Sequence, residues 1–527
     1  MLFCANPRNL GLLASGFLVA ALFLGGGTRA GFFGDVVLQV VAVALLLVAF
    51  WALANRREPP LGPQAKRQIL VVLAVVPTIC LLQLFPWTWL HDGSLGGSIP
   101  LSVSTNSTFL AALSALPGIA IFVSVVQLPQ SERRRIIIAA LVAGIVSVFV
   151  GLLQVAQGPQ SALRFYTFTN VTEAVGFFAN RNHFSALLYV LFMFATALAV
   201  HAAGIFGVTP WRHKFDRSVI LPLVLSVVMV VVLLAAQSYA RSRAGLGLTI
   251  VALIGGALLS VGASRQSMHG SRKVLFGAIL LGVMIGAQFS LYRVLQRFDT
   301  DPLEDARLPF ARNTFEAAKE YLPFGSGLGT FMPVYNAVLR PTDALLDKFA
   351  NRAHNDFLEG LLETGIVGVL LAIAFLLWFV LRAAYVWKRS ESDTLDSLIC
   401  RAATISIVLL LAHSMVDYPL RTTGLLCIFA LCCALLVEPF PNAWAEANRQ
   451  SRQHKQRRPV SEPQVRRHFP NATSPVPRAL ADEWKAAESP SRDAGSLPRK
   501  AGTSLKVIEE WPSEWQPRRS PGRNTDK

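Results

Sequence analysis

Stretches of about 20 mostly apolar residues, the length a helix needs to cross the hydrocarbon of a bilayer, recur about twelve times in this 527-residue chain. They lie near 10 to 27, 34 to 54, 68 to 85, 108 to 127, 136 to 156, 183 to 203, 218 to 236, 245 to 262, 274 to 291, 361 to 381, 399 to 416 and 422 to 438. With 53% hydrophobic residues, 15% charged residues and a mean hydropathy of +0.46, the chain reads as one whose solvent is lipid rather than as a string of soluble domains. A backbone in lipid must satisfy its polar groups internally, so the expected fold class is all-α and polytopic, with about 12 transmembrane helices. Pro77, Pro117 and Pro222 fall inside windows, which membrane helices tolerate when neighbours or water re-satisfy the freed groups.

A net charge of +17 would point to nucleic acid in a soluble protein. Here the basic residues collect in alternate loops, as the positive-inside rule demands, so membrane lipids and not nucleic acid are the expected partners. Arg56, Arg57, Lys66 and Arg67, then Arg133 to Arg135, Arg212, Lys214 and Arg217, Arg265, Arg272 and Lys273, and Lys388 and Arg389 fall on one side, taken as cytoplasmic. Both termini are then expected inside, and the opening apolar run reads as a first helix rather than a cleaved signal. The six cysteines lie in or beside apolar spans, so neither a disulfide framework nor a zinc site is expected.

Residues 1–438 form the expected multi-pass domain, and 439–527 a basic cytoplasmic tail too polar to bury a core and hence disordered. A long polar loop on the outer side runs from about 292 to 360. Leu308, Phe310, Phe315, Ala318 and Tyr321 are spaced for one or two short helices within it. The glycines of Gly325-Ser326-Gly327-Leu328-Gly329 read as a mobile hinge, because no Gly-Lys-Ser/Thr follows to make a phosphate loop.

In so apolar a chain, chemistry is expected where polar residues meet water at the outer rim. His354, in Arg352-Ala353-His354-Asn355-Asp356, is the candidate general base, since an imidazole titrates near neutral pH and can take a proton from an attacking sugar hydroxyl. Arg181, Arg241, Arg243, Arg352 and Arg421 stand on a side that short loops usually keep free of arginine. Their planar donor forks match phosphate oxygens, so together they are read as ligands of a diphosphate, with Asn182 and Asn355 as further hydrogen-bonding groups. Any one of them alone is equally well explained by a lipid headgroup. Glu363 and Asp417, near membrane ends, are supporting counter-ions that keep the arginines oriented. His183 and His413 are rivals to His354 in more apolar settings. In the acidic cluster Asp299, Asp301, Glu304, Asp305 the first two precede Pro302 and read as a turn and helix cap, so no metal site is assigned.

Five blocks carry a resemblance to the O-antigen ligase family of bacterial envelope glycosyltransferases. They are Gly176 to Phe184, Ser242-Arg243-Ala244-Gly245, Pro323 to Phe331 with Tyr335, Ala353 to Glu359 continuing through Glu363 to Gly368, and His413 to Arg421. The resemblance implies a fold similar to GT-C glycosyltransferases. It implies transfer of a glycan from an undecaprenyl diphosphate carrier to an acceptor at the periplasmic face of the inner membrane, with no metal and no cofactor. By the same resemblance His354 is the base and Arg181 and Arg243 grip the diphosphate, while Arg241 has no equally firm family position. The acceptor is lipid A core or a related glycan. A polysaccharide polymerase or a protein O-oligosaccharyltransferase uses the same donor chemistry, and a polysaccharide or lipid transporter is the alternative of another class, for which charges buried at mid-membrane are expected.

Overall fold

The computed structural model describes residues 6–28, 33–56, 61–85, 101–167, 169–261, 302–338, 351–389 and 394–439. Among them there is no strand, and the fold is all-α. In chain order the helices are α1 (Pro7–Leu24), α2 (Phe33–Ala54), α3 (Pro63–Leu84), α4 (Thr105–Ser114), α5 (Leu116–Val126), α6 (Gln130–Gln157), α7 (Arg181–Val208), α8 (Arg217–Ala240), α9 (Arg243–Val261), α10 (Pro302–Glu320), α11 (Phe331–Val338), α12 (Asp356–Arg389), α13 (Leu395–Ser414) and α14 (Thr423–Val437). Among the described residues ten segments are long and apolar enough to cross a membrane, with α4 and α5 together making one of them. The apolar α14 has 15 residues and is shorter than that. Eleven of the twelve expected windows thus carry a helix; the twelfth, 274 to 291, lies outside the described residues, as does the tail beyond 439.

The polar residues sort by end of the bundle. The starts of α7, α9 and α12 share one end with the finish of α13. Arg56, Lys66, Arg67, Arg133 to Arg135, Arg212, Lys214, Arg217 and Lys388 lie at the other, where α1 begins and α14 finishes. At that second end several arginines act as plugs for helix C-termini. Arg133 donates to the carbonyls of Val126, Leu128 and Glu438 at 2.8 to 3.0 Å, and Arg382 to those of Leu436 and Val437, both at 2.8 Å. The last carbonyls of a helix have no intrahelical donor, and leaving them bare in lipid costs several kcal/mol each.

α7 is the axis of the bundle, buried over nearly its whole length because it is apolar on every face. It packs on α8, α9 and α13. A Cβ at Gly245 of α9 would run into the Ser185 side chain of α7, so glycine there is what lets the two backbones close up. Ser185 Oγ in turn donates to Gln237 Oε1 of α8 at 2.6 Å.

α12 is broken at Gly365, where φ is 59° and ψ is −145°. The break frees the carbonyls of Leu362 and Glu363, and the glycine run takes them up. Ser326 N–H donates to Leu362 O at 2.8 Å and Gly327 N–H to Glu363 O at 3.0 Å, while Gln83 Nε2 adds a bond of 2.8 Å to Glu363 O. Buried backbone groups freed from a helix in this way need such partners. The run expected to be a mobile hinge is therefore a fastened turn. Its glycines are needed for left-handed φ (81°, 110° and 72° at Gly325, Gly327 and Gly329) and close contact, not for motion.

A Cβ at Gly325 would stand 2.5 Å from the Glu363 and Thr364 backbone, whereas one at Gly360 meets nothing within 4 Å. Gly325→Ala is expected to destabilise the protein by about 2–4 kcal/mol, from the left-handed backbone plus overpacking. Gly360→Ala, on the helix, should be neutral or stabilising by up to about 1 kcal/mol. Thermal unfolding in detergent checks the pair; equal midpoints would show that the turn yields easily.

Candidate functional site

Two helices begin side by side at one end of the bundle, and each begins with an arginine. α7 starts at Arg181 behind Asn180, whose side chain accepts from Asn182 N–H at 2.8 Å. α9 starts at Arg243 behind Ser242, whose Oγ accepts from Gly245 N–H at 3.0 Å. Both caps are residues with short acceptor side chains that satisfy the amides a helix start leaves open. The two starts are tied together by Ser242 Oγ, which donates to Asn182 Oδ1 at 2.8 Å. A cation in the first turn opposes the positive end of the helix dipole. Two such arginines on adjoining helix starts make a site whose charge favours a polyanion. Glu173 offsets part of it, with its Oε1 3.2 Å from Arg181 Nη1. Arg241, one residue before the Ser242 cap, ends α8 in a left-handed turn with φ 49°.

The tie continues through the other end of the same amide. Asn182 Nδ2 donates to Asp417 Oδ2 at 2.6 Å, and Asp417 Oδ1 lies 3.2 Å from His354 Nδ1 while accepting Tyr418 N–H at 3.0 Å. Asp417 is fully buried, just beyond the end of α13. Burial alone would raise its carboxyl, but the hydrogen bond from His354 and the imidazoles of His354, His183 and His413 outweigh it and hold the group well below the usual carboxylate range. A carboxylate on Nδ1 keeps the ring proton on that nitrogen and leaves Nε2 as the basic one. Asp417, expected as a counter-ion for arginine, is therefore the partner of the imidazole.

His354 precedes α12 and has φ 51°. A left-handed conformation costs a residue with a side chain about 1–2 kcal/mol, and such strain gathers at functional positions when the surroundings enforce it. The ring meets Tyr418 edge-to-face at 5.0 Å and stacks on Phe310 of α10 at 6.1 Å. The loop between 292 and 360, expected to hold short helices, thus does so and sets one of them over the histidine. Tyr418 also meets His183 edge-to-face at 4.9 Å. Its phenol is pushed up by burial and by Asp417, against hydrogen bonding to Asn351 and Asn180.

Asn355 caps α12: its Oδ1 accepts from Phe357 and Leu358 N–H, both at 3.0 Å, and its Nδ2 donates to Met415 O at 2.8 Å. Arg352 Nη1 pairs with Glu359 Oε1 at 2.7 Å. Arg421 stands among Glu363 (2.9 Å), Asp356 (3.4 Å) and Glu359 (3.6 Å). Burial works against its charge, but those three carboxylates outweigh burial and raise the guanidinium further above its ordinary value. Glu363 pairs with Arg421 and does not touch His354. Arg352 and Arg421 have carboxylate partners close at hand, as Arg181 has in Glu173. His413 is buried in α13 with Nδ1 2.8 Å from Tyr189 OH, and His183 is buried with neither ring nitrogen hydrogen-bonded. Neither rival is open to an incoming hydroxyl. Asp299 and Asp301 lie outside the described residues.

Sequence reasoning overlooked Glu359, Glu173, Tyr418 and Phe310. Glu359 had a signal, since Asp356, Glu359 and Glu363 recur at helical spacing on one face. Glu173 and Phe310 had none, because what makes them matter is which distant segment they fold against.

Residues 215–373 match a family model described as O-antigen ligase. The matched stretch runs from the start of α8 into α12 and includes Arg241, Arg243, Arg352, His354, Asn355 and Glu363; Arg181 precedes it and Asp417 follows it. No curated protein matches the chain.

Proposed function

As the chain belongs to the O-antigen ligase family, whose members are glycosyltransferase-like ligases and polymerases, we propose that it moves a glycan from undecaprenyl diphosphate to an acceptor hydroxyl. The acceptor is lipid A core or a related glycan, and the reaction takes place at the periplasmic face of the inner membrane, with both termini cytoplasmic. Nε2 of His354 takes the proton of the acceptor hydroxyl as its oxygen attacks the anomeric carbon. The bond from that carbon to the diphosphate oxygen breaks, and the configuration inverts. Arg181 and Arg243 receive the charge that gathers on the departing diphosphate, where fixed donors help most. Asp417 steadies the imidazolium. No metal takes part.

One observation carries the reading: the unbroken run Ser242, Asn182, Asp417, His354, which draws two arginine-bearing helix starts and one imidazole into a single hydrogen-bonded group. The acidic groups gathered there lie at helix ends, and this favours surface chemistry over a transport pathway through the middle of the bundle.

Purified protein given a defined polyprenyl-diphosphate-linked glycan and an acceptor glycan, without any gradient, is expected to consume the donor and extend the acceptor equally with and without chelator. Extension of the donor glycan itself would identify a polymerase, and glycosylated protein would identify a protein acceptor. No consumption with any acceptor would refute the proposal. Arg243→Lys is expected to lower kcat/KM on the order of tenfold or more, because a point charge does not copy the two-pronged contact to phosphate. Wild-type turnover by that variant would leave Arg243 a scaffold residue.

A further inference from the structure

We propose that Glu359 is a positioning residue, which holds the backbone of His354 in its left-handed conformation and so sets where the imidazole stands. The inference rests on the reading of His354 as the base. In an ordinary capping box the residue three positions into a helix sends its carboxylate back to the N–H of the capping residue. Here the cap is Asn355, the third position is Leu358, and the carboxylate sits one place later. Glu359 passes over its own cap and over His354 as well. Its Oε2 accepts Ala353 N–H at 3.0 Å and its Oε1 accepts Arg352 Nη1 at 2.7 Å, while Glu359 N–H donates to Asn355 O at 3.0 Å. One residue thus bonds to the chain on both sides of His354. A carboxylate on the helix reaches Ala353 because the chain turns back at His354, where φ is 51°. The bond and the turn require each other.

Glu359 is completely buried, so water does not compete for those two donors. Neutralising Arg421 does not account for it. Arg421 is closer to Glu363 and Asp356 than to Glu359, and the cluster has three carboxylates for two guanidinium groups. Glu359→Gln therefore leaves two charges of each sign and the same shape. What it removes is the second acceptor, since an amide offers one oxygen and must turn its NH2 toward either Arg352 or Ala353 N–H.

The test measures Glu359→Gln, Glu359→Asp and His354→Ala in one transfer assay, with the thermal midpoint of each in detergent. Glu359→Gln is expected to lower kcat by about 10- to 100-fold, the effect of displacing a reacting group by roughly 1 Å, with donor KM changed by less than about threefold. Glu359→Asp keeps the charge and both acceptors but withdraws them by one methylene, so the same split is expected with a smaller fall. It decides the matter should the glutamine variant not fold. A kcat within about twofold of wild type in a folded variant, or a loss confined to KM, overturns the role of Glu359. If His354→Ala turns over normally, the base assignment is what has failed; if it is inactive while Glu359→Gln is normal, only the positioning role falls.

Discussion

His354→Ala is expected to lower glycan transfer by about 10²–10⁴-fold, the range a well-placed general base supplies, while its level in the membrane stays that of the wild type. The separation is expected because His354 precedes α12 and the segment around it is held by bonds from Asn355 and Glu359 that do not involve the imidazole. A second replacement isolates chemistry from backbone strain. Asparagine enters the left-handed region more readily than alanine, so His354→Asn restores an easy turn without restoring a base. Both variants should be equally inactive. Turnover near wild type in either would remove the imidazole from the reaction and leave the arginine pair to be explained by headgroup binding.

Asp417→Asn is expected to cost about 10²–10³-fold in kcat with little change in donor KM. The carboxylate accepts from His354, Asn182 and Tyr418 N–H. An amide of the same shape has one acceptor oxygen, so it either turns NH2 toward Asn182 or turns it toward His354 Nδ1. In the second case the ring proton moves to Nε2 and the basic nitrogen faces the wrong way. In either case the buried negative charge that stabilises an imidazolium is lost. Because Asp417 is held well below the usual carboxylate range, it stays ionised throughout the near-neutral range. The wild type keeps its charge at every working pH, and the deficit of the variant should persist across the whole profile. A kcat that stays within about twofold of wild type would mean that the carboxylate does not act through the imidazole.

The fold was legible because lipid leaves few choices. Apolar windows of spanning length become helices, and eleven of the twelve windows lie on helices here, α1 to α9 and α12 to α14 with α4 and α5 sharing one. The site was legible in its members and not in its pairings. His354, Arg181, Arg243, Asn182 and Asp417 could be picked out as polar residues at the rim of apolar spans. That Asp417 belongs to the imidazole is a fact about α7, α12 and the end of α13 meeting, over separations of 63 residues in one case and 235 in another, which no local pattern records. Spacing does not say whether Glu363 reaches His354, because a phase rule assumes one straight helix through both. The helix begins at Asp356 after a left-handed residue and breaks at Gly365, so the rule of 100° per residue does not reach from one to the other. The glycine run shows the same limit. Composition registers small residues, but whether they serve motion or contact depends on the broken helix they bind.

The arginines that plug helix C-termini at the far end carry a consequence for how topology is inferred from charge. Arg133 and Arg382 count toward the basic bias that orients a membrane protein during insertion, yet in the finished fold their guanidinium groups are committed to carbonyls of Val126, Leu128, Leu436, Val437 and Glu438. The same side chains first act as an address and later as mortar. Charge-swap experiments at these two positions would thus disturb assembly along with direction, and exposed neighbours such as Lys66 and Arg67 are the cleaner places to probe which way the protein enters the bilayer.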